Sequence, residues 1–147
     1  MNELLNMGSI QKIEITEAIN ITLGIPNTNN EVAVTNSGSW EEILFTLETA
    51  SYSENEKPVK EGSIFTSTLT WQLPKVSPTN YAASAKYRNK ELIIKITDAN
   101  NTIILIGEPS NPAFVNVVKS IPAKVSGINA YNFTVKHEST HSAYFIA

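Results

Sequence analysis

Apolar residues in this chain recur at every second position in short runs, and each run is cut off by Pro, Gly or Asn. A period of two is that of an extended strand, whose side chains alternate between its faces. From Lys12 onward, Ile13, Ile15, Ile19, Ile21 and Leu23 hold odd positions, with Glu14, Thr16 and Thr22 between them. Glu17-Ala18 interrupts this run and predicts a bulge or bend. The stretch from Gly24 to Asn30 ends it through Pro and Asn turn chemistry. Val32 and Val34 give a short strand, and Asn36-Ser37-Gly38-Ser39 turns the chain again.

From Trp40 to Ser53 the pattern fits two periods. Trp40, Ile43, Leu44 and Leu47 would make a helical stripe, whereas Ile43, Phe45 and Leu47 alternate, and Thr46, Thr49 and Tyr52 favour a strand. A strand is expected, because Phe65, Ser67, Leu69, Trp71 and Leu73 form another odd face that can pair with it. Between the two lie Glu54, Asn55, Glu56, Lys57, Pro58, Val59, Lys60, Glu61 and Gly62, the most charged stretch of the sequence. The expectation is a long projecting hairpin with a charged tip.

Pro74 stops that strand, and Ser77-Pro78-Thr79 reads as a helix start; the Ala-rich stretch that follows predicts one helix over about residues 79–89. Arg88 would sit at its C-terminal end, where a cation suits the dipole. Leu92, Ile94 and Ile96 alternate, Asp98-Ala99-Asn100-Asn101 turns, and Ile103 to Ile106 return as the clearest hairpin in the sequence. Phe114 to Val118, Tyr131 to Val135 and Tyr144 to Ile146 complete the strands, with a break at Ile121-Pro122. The fold class is therefore mostly β: an antiparallel β-sandwich or partly closed barrel with one flanking helix. Residues 1–9 are expected to be a flexible arm and residues 10–147 a single domain, since 147 residues suit one core.

Composition narrows the function. With no cysteine there is no disulfide, thiolate ligand or cysteine nucleophile. A net charge of −3 opposes general nucleic-acid binding, which needs a Lys/Arg excess. No apolar run approaches the length needed to span a bilayer, and Met1 to Asn6, acidic and broken by Asn, does not read as a secretory signal. His137-Glu138-Ser139-Thr140-His141 matches the zinc-protease motif H-E-x-x-H. That motif works only on a helix, which brings both histidines to one face. Here an alternating strand precedes it and Ser139-Thr140 are poor helix formers, so His137, Glu138 and His141 are read as a polar turn rather than a metal site. The single Asp, Asp98, is explained by turn capping. Glu41-Glu42 and Glu54/Glu56 lie in stretches that read as solvated, and there is no nucleophile elbow or Gly-rich phosphate loop. No catalytic residue and no cofactor is expected. Among the aromatic residues that could stack on a sugar, Trp71 shares the apolar odd face and is expected to be buried. Tyr52, beside the charged stretch, is the likeliest exposed ring.

The order of elements carries one further signal: Gly62 to Pro74, then a helix, then the hairpin Leu92 to Gly107 with its strand-Asp-x-Asn-Asn-strand-Ile-Gly pattern, then Asn129 to Val135 and a short last strand. Over about residues 10–147 this resembles the tail-tube and related tail proteins of bacteriophages, particularly those of Bacteroidetes hosts. The resemblance implies a β-sandwich or partly closed barrel whose copies form rings, commonly hexameric, stacked into a hollow tube for genome passage. It implies no active site. Tyr52 and Glu54 to Glu61 would contact a neighbouring subunit or ring, helped by Asn2 to Ser9 and the chain end. The partners implied are the chain itself, other phage tail proteins and DNA in non-specific transit, without a membrane, in a virion assembled in the host cytoplasm. A negative lumen would repel phosphates. The alternative is a carbohydrate- or host-binding β-sandwich module.

Overall fold

A computed structural model describes residues 8–46 and 49–146. Twelve strands, one short 3-10 turn and one helix are present among them. The strands are β1 (Ile10–Glu17), β2 (Ile21–Leu23), β3 (Glu31–Val32), β4 (Val34–Asn36), β5 (Glu41–Glu42), β6 (Ser51–Val59) and β7 (Gly62–Pro74), followed by helix α1 (Pro78–Ala85). Then come β8 (Leu92–Asp98), β9 (Ile103–Ile106), β10 (Val115–Ser120), β11 (Ala130–Ser139) and β12 (Tyr144–Ile146). They make a six-stranded sheet in the order β3-β12-β9-β8-β1-β5, a four-stranded sheet β10-β11-β7-β6 and a two-stranded sheet β2-β4; none closes into a barrel. The pairing is antiparallel except between β12 and β3, which run parallel.

Period-two alternation builds the main core. Ile13 and Ile15 of β1 and Leu92, Ile94 and Ile96 of β8 face Leu69 and Trp71 of β7 and Tyr131, Phe133 and Val135 of β11. The two large sheets thus share one apolar layer, at whose centre Trp71 stacks flat on Phe133, ring centroids 5.0 Å apart. Trp71 is buried, as the odd face predicts.

Leu92-Ile93-Ile94 does not alternate, and the fold gives the reason. Ile93 is fully buried on the opposite face of the six-stranded sheet, together with Leu105, Ala18 and Ile21. Leu23 and Val34 pack on this second cluster from the β2-β4 pair, and Trp40 and Ile146 close its margin. A central strand covered on both faces reads as a continuous apolar run.

Several expectations need correction. The bend expected at Glu17-Ala18 is a 3-10 turn over Ala18–Asn20, anchored by the Ala18 N–H donating to the Glu91 carbonyl at 2.9 Å, but Ile19 does not share the face of its odd-numbered neighbours: the turn throws it outward, 88% exposed. Val32 and Val34 fall in different sheets. Among the described residues of the stretch from Trp40 to Ser53, only Glu41–Glu42 and the first residues of β6, from Ser51, are strand, so the continuous strand expected there is broken; the expected position of Leu47 lies outside the described residues. The helix starts at Pro78 with the Ser77 hydroxyl capping the Asn80 N–H, but ends at Ala85 rather than near 89. Burial of Tyr87 tightens the chain there into turns, and Arg88 lies beyond the helix with its guanidinium over the Tyr81 ring. The flexible-arm expectation falls mostly on residues 1–7, outside the described residues; the Ser9 carbonyl accepts from the Ala99 N–H.

Two outcomes follow from this packing. Ile93→Ala removes side-chain volume from a face covered by the small β2-β4 layer; a loss of about 2–5 kcal/mol in urea unfolding is expected, against well under 1 if that face were open. Burial, aided by the Glu41 carboxylate, pushes the Tyr87 hydroxyl up to about 12. The folded state then keeps a proton that the unfolded chain loses near pH 10, so stability present below pH 10 declines between 10 and about 12. Tyr87→Phe should flatten that decline, which is on the order of 1–2 kcal/mol.

Candidate functional site

The charged stretch is strand, not tip. β6 pairs with β7 from Ser51↔Thr70 to Val59↔Gly62, so Glu54 to Val59 lie within the ladder and only Lys60 and Glu61 form the turn. Gly62 closes it at φ 136, a backbone region that favours glycine. Expecting the whole charged segment to be a loop underestimated its partner: Ser63, Ile64, Phe65 and Thr66 extend β7 past the core and give each residue of β6 an opposite number. The hairpin does project, for Ser53 to Pro58 are all exposed.

Its two faces differ. Tyr52, Glu54, Glu56 and Pro58 face the six-stranded sheet, opposite Leu69, Ser67, Phe65 and Ser63. Tyr52 is half-buried, not the exposed ring expected, and its hydroxyl lies 3.0 Å from Ser67 Oγ. Burial raises its pKa; the Ser67 hydrogen bond opposes this and the Glu54 charge adds to it. Glu54 accepts from Ser142 Oγ at 2.6 Å and from the Ala143 N–H at 2.7 Å, tying the hairpin root to the β11–β12 loop. Glu56 accepts from Ser63 Oγ at 2.8 Å. Among the expected interface residues, Lys57, Pro58, Lys60 and Glu61 remain exposed, and Val59 is half-buried.

The backbone of the four-stranded sheet has an inner logic that its register reveals. In an antiparallel pair, alternate residues direct their N–H and C=O groups to one side. The Val59↔Gly62 closing pair assigns 51, 53, 55, 57 and 59 to β7, leaving Tyr52, Glu54 and Glu56 to point their backbone groups outward. Pro58 falls in the same outward row, where its missing N–H costs no ladder bond. Gln72 fits this scheme, its N–H and carbonyl turned to the β6 side, toward Thr49 and Thr46. Carried across β7, β11 and β10, the alternation leaves Val115, Val117 and Lys119 with outward backbone groups on the opposite edge. None of these six residues has a backbone partner on its outward side among the described residues.

The H-E-x-x-H residues sit at the far end of β11 and in the loop beyond. His137 and Glu138 are on the strand and His141 is in the loop, so no helical face unites them. His137 is buried, with Nε2 2.7 Å from the Asn111 carbonyl oxygen. His141 places Nε2 3.1 Å from Glu108 Oε2 and Nδ1 2.8 Å from the Ser142 carbonyl oxygen, and stacks on Tyr144. Asn111 Nδ2 donates to the Glu138 carbonyl at 2.8 Å. These side chains fasten the β9–β10 and β11–β12 loops to each other. No group of three or more His, Asp or Glu side chains among the described residues is arranged to hold a metal ion. Glu41 pairs with Lys86 at 3.2 Å, and Asp98 accepts from the Asn100 and Thr102 N–H groups, the capping role expected of it. Tyr87 and Tyr131 are buried with Trp71, so the sheets present no row of exposed aromatic rings among the described residues.

An open hollow of about 670 Å³ lies beside the 3-10 turn, lined by Glu17, Ile19, Lys90 and Glu91 among others. Its carboxylates have no histidine or hydroxyl nucleophile beside them. No helix among the described residues is long and apolar enough to cross a membrane. Compared with family models, with curated proteins and with solved structures, the chain finds no match.

Sequence reasoning missed the strand edges of the four-stranded sheet. The signal present in the sequence was Pro58 inside an otherwise regular strand, which marks an edge with its donor row facing out. Glu54→Ala should loosen the hairpin root: a loss of about 1 kcal/mol in stability is expected, with faster amide exchange confined to β6 and residues 139–143, read by hydrogen-exchange NMR.

Proposed function

We propose that the chain is a structural subunit that assembles with its own copies into a closed ring, of the kind stacked in phage tail tubes for genome passage. The observation that carries this reading is the pair of unpaired edges on one sheet. β6 and β10 bound a sheet of four alternating strands, so they run in opposite directions. Joining the β6 edge of one subunit to the β10 edge of the next therefore continues the antiparallel order. Each edge offers three successive outward residues, 52, 54 and 56 against 115, 117 and 119, which match rung for rung. Such a head-to-tail contact either closes into a ring or runs on as a filament, and closure satisfies every edge.

The resemblance in element order to tail-tube proteins supports the same reading. On it, the six-stranded sheet and α1 lie on the outside of the ring, because they cover the other face of the four-stranded sheet. The lumen is then lined by Thr66, Thr68, Thr70, Thr134, Asn132 and Gln72, with Ile64 and Val118 as apolar and Lys57, Lys136 and Glu138 as charged exceptions. Two Lys against one Glu leave this face one positive charge per subunit, where the net charge had suggested a negative one, and hydroxyls and amides dominate the rest of it. The subunit would then work without a catalytic step, in a virion tail, with its own copies and other tail proteins as partners.

Glu56→Pro deletes one outward donor while leaving the inward ladder to β7 intact. The wild type is expected to form rings or tubes in negative-stain microscopy and light scattering, and the variant to lose them while a compact folded monomer remains. Asn55→Pro, which removes an inward donor, should instead melt the hairpin. A wild type that stays monomeric at high concentration, or a Glu56→Pro variant that still forms rings, sinks the reading.

A further inference from the structure

The β9–β10 loop holds the one Asn-Pro bond of the sequence, Asn111–Pro112. Two donors converge on the carbonyl oxygen of that bond. The Glu108 N–H donates to it at 3.1 Å across a tight turn, and His137 Nε2 lies 2.7 Å from it. A carbonyl only accepts, so Nε2 is the nitrogen that carries the proton. His137 is 8% exposed, and its strand is paired with β7 from Ala130 to Ser139, so the ring is fixed in place. The Asn111 side chain is held as well, with Nδ2 donating to the Glu138 carbonyl at 2.8 Å. Fastening the loop to β11 accounts for that last bond. Two N–H donors on a single carbonyl oxygen do more, because they are the arrangement that stabilises negative charge developing there.

An asparagine can cyclise with its own backbone in two ways. In one, the nitrogen of the following residue attacks the side-chain amide; Pro112 has no N–H, which closes that route. The other is attack of the side-chain nitrogen on the backbone carbonyl. We infer that the chain cleaves itself at Asn111–Pro112 by this second route, with His137 as a catalytic residue. The Asn111 side chain turns away from the Glu138 carbonyl, and Nδ2 bonds to the Asn111 carbonyl carbon. The oxygen holds the charge between the His137 and Glu108 donors until the C–N bond to Pro112 breaks. The proton shed by Nδ2 ends on the Pro112 nitrogen, which leaves as a secondary amine. The products are residues 1–111, closed by a succinimide ring, and residues 112–147, and no water or co-reactant is consumed. This is one slow event in the life of a molecule, not turnover, and it is independent of whether copies assemble. The nicked molecule stays together, since β11 remains paired with β7 and β12 with β9, but β10 gains a free chain end three residues before Val115.

The full chain, purified and kept for days in warm neutral buffer, should yield these two fragments in intact-mass spectrometry. Sampled early, their masses should sum to that of the parent chain, whereas a contaminating protease adds one water to the sum. Asn111→Ala, which lacks the attacking nitrogen, should give no fragments. His137→Leu, with its fold checked by circular dichroism, should form them about a hundredfold more slowly. Unfolding the wild type in guanidinium should slow cleavage at least as much, because both donors then leave the carbonyl, and this arm needs no variant to fold. A wild type that stays intact overturns the inference. So do fragments that carry the added water from the outset, or cleavage that proceeds undiminished in Asn111→Ala, in His137→Leu or in guanidinium.

Discussion

β7 is longer than the core it covers, and the character of the molecule follows from that mismatch. Its C-terminal half places Leu69 and Trp71 against the six-stranded sheet, where burial and the Trp71–Phe133 stack fix it firmly. Its N-terminal half carries the same alternation past the last covering strand, and there the odd positions become Ser63, Phe65 and Ser67, of which only Ser67 is fully buried. A strand anchored at one end and unsupported at the other can persist only if something pairs with it. β6 supplies that partner along all nine of its residues, and β11 pairs as far as Ser139↔Phe65. The hairpin is thus a rigid extension of the central sheet and not a loop hung from it.

The rigidity is reinforced at the root. Glu54 bridges from β6 to Ser142 and Ala143, while Asn30 Nδ2 donates to the Ala143 carbonyl at 3.0 Å from the other side. His141 and Glu108 join the β11–β12 loop to the β9–β10 loop, and His137 with Asn111 repeats the tie one turn of chain away. The segment whose letters spell a zinc-protease motif therefore acts as a polar fastener beneath the hairpin. Each ring nitrogen used has an oxygen partner within the chain, which is the ordinary fate of a buried or half-buried histidine.

Much of this was legible in the sequence, for a definite reason. Where one face is buried and the other wet, as at Ile13 and Ile15, Leu69 and Trp71, or Tyr131 and Phe133, period two reports the strand and its inward face together. The Ser77-Pro78 helix start and the Asp98 turn were equally readable because their chemistry is local. What failed was non-local. The covering of the second face by β2 and β4 could not be read from Leu92-Ile93-Ile94 alone, since a continuous apolar run fits any doubly buried segment. Ile19 keeps the odd-position pattern on paper, yet a 3-10 turn rotates it into solvent. The exposure of Tyr52 was misjudged because its surroundings come from Ser67, fifteen residues on. The free edges of the four-stranded sheet, which matter most for the candidate site, depend on strand order and so left only Pro58 as a trace.

An edge strand is a hazard as well as an opportunity, and the same residues manage both. Free backbone groups at 52, 54 and 56 would accept any extended chain, but Glu54 and Glu56 flank them and Pro58 ends the donor row, which limits indiscriminate pairing. On the other edge the outward residues 115, 117 and 119 lie between Pro112 and Pro122, so that row is equally short, and Lys119 brings to it a charge opposite to that of Glu54 and Glu56. Ladders of three residues are too short to hold two molecules strongly on their own. In a closed ring each subunit makes the contact twice, and losing one junction does not release a subunit, so weak edges become durable only through closure. Short, charge-marked, oppositely directed edges are therefore what the proposed ring would require of its subunit: too weak to capture a stray strand, yet sufficient once every junction is made.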